Sequence, residues 1–201
     1  MTLAAERERF LQEGTLADVF AVAYFHVTRL IPTVPLRYPT VTAAQQQAFY
    51  AAYANRASLP HWQPYLALAG DRRLRRGTDP GALLQTLLLR AMTAHITVDL
   101  PPVLVATRPP ALAWESLAPD FFALDPLFDK ALHASFDDFG RVTGRHLGAL
   151  RTTHREALEL GNWLLCRFGK GSVQLRHLRR TAWQNAQRVT FSQEMPYNTV
   201  R

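Results

Sequence analysis

The sequence predicts an all-α protein, a single-domain bundle of six or seven helices. Three observations lead there. No window of the 201 residues shows the sustained apolar–polar alternation of a strand. Helix-start signals recur: Asp79-Pro80 and Asp125-Pro126 each place a capping side chain before a proline suited to the first helical position. The length is that of one domain, and 48% hydrophobic content can build a core without disulfides or metal staples. The domain is expected to span 1–190, with 191–201 a C-terminal tail.

The elements follow in order. The start, MTLAAERERFLQEG, is charged and helical in character and lacks the basic-then-apolar order of a signal peptide. Thr15 opens a segment ending near Ile31, and Pro32 and Pro35 mark a loop. Leu16 to Ile31 is the best membrane candidate, but it is too short and carries Asp18, His26 and Arg29, so no membrane span is expected. Thr42 and Gln45 form a capping-box pattern leading into AQQQAFYAAYANRA. His61-Trp62, between Pro60 and Pro64, interrupts the chain. Asp79-Pro80 starts a helix to about Val98, and the five prolines from Pro101 to Pro119 read as a long irregular connection. Asp125-Pro126 begins a helix to about Leu150. Thr153 with Glu156 caps another, which stops at Gly169-Lys170-Gly171, and a last helix spans about Ser172 to Val189.

Charge narrows the partners. The formal net charge of +7 invites a nucleic-acid reading, but only Lys130 and Lys170 of the 23 basic residues are lysine. That skew reads as codon composition, and the arginines are scattered, as on a solvated face. The one gathering that a nucleic acid could use is the polar face of the last helix, with Arg176, His177, Arg180, Gln184 and Arg188. Nucleic acid is therefore not the expected partner; a small-molecule substrate or ligand is. The single Cys166 excludes an intrachain disulfide and fits a cytoplasmic protein. Apolar helix faces in so helical a chain could also serve a homo-oligomer.

Helical phase selects the polar residues that point inward. In the helix opened by Pro80, Leu84, Leu88 and Ala91 form one stripe that His95 and Asp99 continue, flanked by Leu83, Leu87, Ala94 and Val98. A buried carboxylate needs a partner, and the i,i+4 spacing lets an imidazole N–H reach it. A second pair, His133 and Asp137, falls opposite the face of Phe128, Leu132, Ser135 and Phe139 and reads as surface. His146 and His154 fall on or near apolar faces, and His26 lies at the edge of its stripe. The tryptophans read as core or rim packing, and Cys166 falls opposite its helix's stripe, which argues against nucleophilic catalysis.

The blocks LADVFAVAYFHVT, MTAHITVDLP and LRRTAWQNAQRV resemble a bacterial family of uncharacterised helical proteins, domain-of-unknown-function family 5995. Thr93-Ala94-His95-Ile96 with Asp99-Leu100 match its most recognisable phrase. The resemblance covers roughly residues 15 to 190 and implies a helical fold with a site at His95 and Asp99. A looser local similarity is to the zinc-dependent phospholipase C and P1 nuclease group, which holds metal with His-x-x-x-Asp on a helix. Where that pattern continues to Pro and His, this chain has Val103 and Val105, which counts against a trinuclear zinc site. A smaller site for a divalent metal such as zinc would draw on His95, Asp99, His146 and His154, with His26 a further candidate.

The leading expectation is a small-molecule enzyme with an apolar pocket around the His95–Asp99 pair. His95 would be the acid/base, or a metal ligand, and Asp99 would orient its ring. Hydrolysis, cyclisation and isomerisation all fit, on a small or lipid-like substrate. The alternative is a non-catalytic ligand- or partner-binding protein in which the pair is a structural lock.

Overall fold

A computed structural model describes residues 2–71, 80–145 and 175–190. Every regular element in it is helical, as the sequence predicts, and no strand occurs among the described residues. Helix α1 (Leu3–Glu13) starts where the Thr2 hydroxyl accepts from the Ala5 N–H at 3.3 Å. It ends at Gly14, whose φ of 64° is the left-handed conformation that glycine adopts without strain. A 3₁₀ turn over Leu16–Asp18 leads into the apolar α2 (Val19–Leu30). Helix α2 packs against α1, against α5 (Pro80–Ala94) and most extensively against α8 (Asp125–Arg145). Its Val19, Phe20, Ala21 and Val22 are fully or almost fully buried, and burial of each large side chain stabilises by about 1.5–3 kcal/mol.

Helix α3 (Pro39–Ala54) corrects one sequence expectation. It begins at Pro39, three residues before the capping box proposed at Thr42, and Thr42 is buried within it. The chain entering the helix is held from far away in sequence. The Asp120 carboxylate accepts from the Arg37 N–H at 3.0 Å and the Tyr38 N–H at 2.6 Å, fixing the two residues that lead into Pro39. Asp120→Ala is accordingly expected to cost about 1–2 kcal/mol in urea unfolding, with α3 the element whose amide protection falls most.

After α3, 3₁₀ turns over Arg56–Ser58 and Pro60–Trp62 give way to α4 (Gln63–Gly70), which lies on α5. The proline-rich stretch differs from expectation too. Helix α5 runs through one π turn (His95–Asp99) into α6 (Leu100–Thr107), and α7 (Trp114–Ala123) follows. Pro101 and Pro102 sit at the start of α6, directly after the π turn, and Pro119 lies inside α7. Only the short stretch between α6 and α7 is irregular. Helix α8 follows Asp125-Pro126 as expected, and α9 covers 175–190. The expected continuation to Leu150, the Thr153 capping box, the Gly169–Gly171 stop and the 191–201 tail lie outside the described residues.

The stretch 86–107 is the one described segment long and apolar enough to cross a membrane, and most of its apolar part is buried inside the fold. Its burial is what a core rod requires.

Candidate functional site

The π turn follows from the prolines. Pro101 and Pro102 have no N–H to offer the carbonyls one helical turn earlier, and their rings would crowd them. The backbone widens, and the Leu100 N–H donates to the His95 carbonyl five residues back. The widening shifts helical phase. His95 and Asp99 stay inward, 0% and 6% exposed, whereas Val98, expected to flank the apolar stripe, turns outward at 45%.

Asp99 is held by three nitrogens. His95 Nδ1 lies 2.8 Å from Oδ2, the Trp62 indole N–H donates to the same oxygen at 3.0 Å, and His61 Nε2 is 2.7 Å from Oδ1. The His61–Trp62 segment, read from sequence only as an interruption, therefore completes the site. Pro60 and Pro64 set its turn, and packing of α4 on α5 brings it beside the π turn. No periodic signal could have paired His61 with a residue so far along the chain.

The imidazole of His95 is enclosed by aromatic rings. Phe49 stacks on it with centroids 3.4 Å apart and planes 9° from parallel, and Phe20, Tyr24 and Trp62 meet it at steeper angles, 5.1 to 5.6 Å away. The ring borders a cavity of about 100 Å³ between α2, α3, α5, α8 and α9. Apolar side chains such as Met92, Leu100, Phe121 and Leu132 dominate its wall. Thr42, Gln45, Gln46 and Arg179 supply polarity, and Gln45 and Gln46 are half-buried.

Electrostatics fix the state of the pair. Burial pushes the His95 imidazolium down to about 4, against the opposing pull of Asp99, so the ring is neutral at pH 7. Burial raises the Asp99 carboxyl, but hydrogen bonds from His95 and Trp62 outweigh it and hold the group below its ordinary value. An ionised Asp99 beside a neutral imidazole places the ring proton on Nδ1. Nε2 then carries the lone pair, is buried, and has no hydrogen-bond partner among the described residues.

This has a consequence for acid stability. The folded His95 resists protonation until about pH 4, whereas an unfolded histidine takes its proton near 6.5, so the unfolded chain binds the extra proton between those values. The contribution is complete above pH 6.5 and is lost as pH falls toward 4, by roughly 3 kcal/mol. Depression of Asp99 adds a loss of the same sign at still lower pH. Urea midpoints measured from pH 7 to 4 are expected to fall, and His95→Phe should flatten that fall.

The other sequence candidates separate. His26 is buried but belongs elsewhere: its Nε2 is 2.8 Å from Asp138 Oδ2, and Arg7 binds the same carboxylate at 2.6 and 2.8 Å. Asp138 escaped notice beside its exposed neighbour Asp137, although its place three residues after the buried Ser135 puts it on the apolar face. His133 and Asp137 are exposed, as phase predicts. His146, His154 and Cys166 lie outside the described residues. Arg179 was also missed: it falls on the buried side of α9, opposite the exposed His177, Arg180, Gln184 and Arg188. It donates to Asp125 at 2.8 Å and to the Phe121 carbonyl at 2.5 Å.

Of the four residues expected to hold a metal, only His95 and Asp99 are among the described residues. No group of three or more metal-binding side chains gathers among the described residues. An indole N–H and a ring nitrogen at hydrogen-bond distance already occupy Asp99 Oδ2, the donor set of an oriented histidine and not of a cation cage.

A family model, described as a family of unknown function (DUF5995), matches residues 40–201, a span that includes His61, Trp62, His95 and Asp99. No curated protein and no solved structure matches the chain.

Proposed function

The chain belongs to DUF5995, and from that premise and the geometry of the site we propose that it is a small-molecule enzyme working by proton transfer at His95. The observation that carries the reading is the buried Nε2 of a neutral imidazole beside an apolar cavity, without a partner, while Nδ1 is bonded to an ionised carboxylate. His26 also has one ring nitrogen buried without a partner, but its ring does not line the cavity, so the cavity beside His95 is what separates the two. In the proposed step Nε2 takes a proton from a bound X–H group, and the imidazolium formed is stabilised by Asp99. The proton is then returned to another atom of the same molecule, leaving the enzyme unchanged. Isomerisation and intramolecular cyclisation need only this shuttle. Hydrolysis would also need a seated water, for which a mostly apolar wall is poorly suited.

The test is a panel of small apolar compounds, including enolisable ketones, hydroxy-enones and esters, followed by proton NMR in D₂O. Conversion or deuterium incorporation above the buffer rate, abolished by His95→Phe, is the expected result. Conversion that His95→Phe leaves intact would overturn the reading.

A further inference from the structure

We propose that the cavity recognises a compact, uncharged, largely apolar molecule through one hydroxyl, of an alcohol, phenol or enol, that donates to His95 Nε2. The proposal deepens the proton-transfer reading and rests on it only in taking this cavity as the working site.

Chemistry of the wall selects the hydroxyl. With its proton on Nδ1, His95 offers the cavity a lone pair and no N–H, so the complementary ligand group is a donor. A ligand without a donor would leave Nε2 unsatisfied, and that penalty is already present in the empty protein. A ligand with a donor removes it. Charge is disfavoured from both directions. The buried Arg179 is already matched to Asp125 at 2.8 Å and gives a second N–H to the Phe121 carbonyl, and Phe121 and Phe128 flank its guanidinium at 4.0 and 4.8 Å. An entering carboxylate would have to compete with Asp125, and an ammonium would shed its water into an apolar wall.

Size sets the body of the ligand. An apolar cavity of about 150 Å³ holds benzene. At about 100 Å³ this one is smaller, so a single small ring enters it only in part, with the rest of the molecule extending out of the cavity.

The full chain titrated calorimetrically with phenol, toluene and benzoate tests this. Phenol and toluene match in size and differ in the donor. Phenol is expected to bind about tenfold more tightly than toluene, and benzoate should not bind over the same range. His95→Phe should bring phenol and toluene together, and Ala131→Leu, which fills the cavity wall, should weaken both about tenfold or more. Equal binding of phenol and toluene to the unaltered protein, or preference for benzoate, would overturn the proposal. So would phenol binding that Ala131→Leu leaves unchanged. The comparison on the unaltered protein and the Ala131→Leu variant decide the matter even if His95→Phe fails to fold. Loss of the phenol preference alongside His95-dependent proton transfer sinks only hydroxyl recognition. Tight phenol binding with no proton transfer across the panel sinks only the catalytic reading.

Discussion

Asp99→Ala is expected to lower the unfolding free energy by about 3–5 kcal/mol, measured by urea denaturation at pH 7. The size follows from what the carboxylate satisfies. Trp62 and His95 are fully buried, and each would lose the acceptor of a ring N–H with no water able to replace it. Each stranded donor costs about 1–3 kcal/mol. His61 keeps partial access to solvent and adds less, with 22% of its side chain exposed. Against a typical domain stability of about 5–15 kcal/mol, such a loss leaves little reserve. Asp99→Asn preserves the volume and one acceptor oxygen, but its amide NH₂ faces donors where the carboxylate offered a second acceptor. Its loss should fall below that of alanine while still exceeding about 1 kcal/mol. A variant as stable as the parent would mean that the three contacts carry no net energy.

His95→Phe should show the opposite balance. Phenylalanine keeps the stack on Phe49 and the edge contact with Phe20, and it removes the buried, unpartnered Nε2. Asp99 loses one donor and retains Trp62 and His61. Stability is therefore expected to change by less than about 1.5 kcal/mol, whereas turnover on any substrate found should fall by about 10²–10⁴-fold, the usual worth of a positioned acid/base. A large stability loss with unchanged turnover would identify the histidine as a structural lock.

Much of this was legible in the sequence because it is encoded locally. The i,i+4 spacing of His95 and Asp99 and their phase with Leu84, Leu88 and Ala91 put both inside, and the same arithmetic placed His133 and Asp137 at the surface. What escaped was set by tertiary contact. The approach to α3 is held by Asp120, in α7; the third donor to Asp99 comes from His61, in a 3₁₀ turn with no period to read. Val98 was misplaced because a helical wheel assumes 3.6 residues per turn, and the prolines at 101 and 102 force one wider turn immediately before them. The proline-rich segment likewise forms helices because the wider turn accommodates Pro101 and Pro102 within one continuous rod.

The protonation state of His95 is the point on which the account stands. Nitrogen-15 NMR of the ring, with the signals assigned by comparison with His95→Phe, reads it directly across pH 4 to 8. A neutral imidazole at pH 7 with the proton on Nδ1 and a bare Nε2, taking up a second proton only near pH 4, is the expected result. A proton on Nε2 at pH 7, in either a neutral or a charged ring, would contradict it.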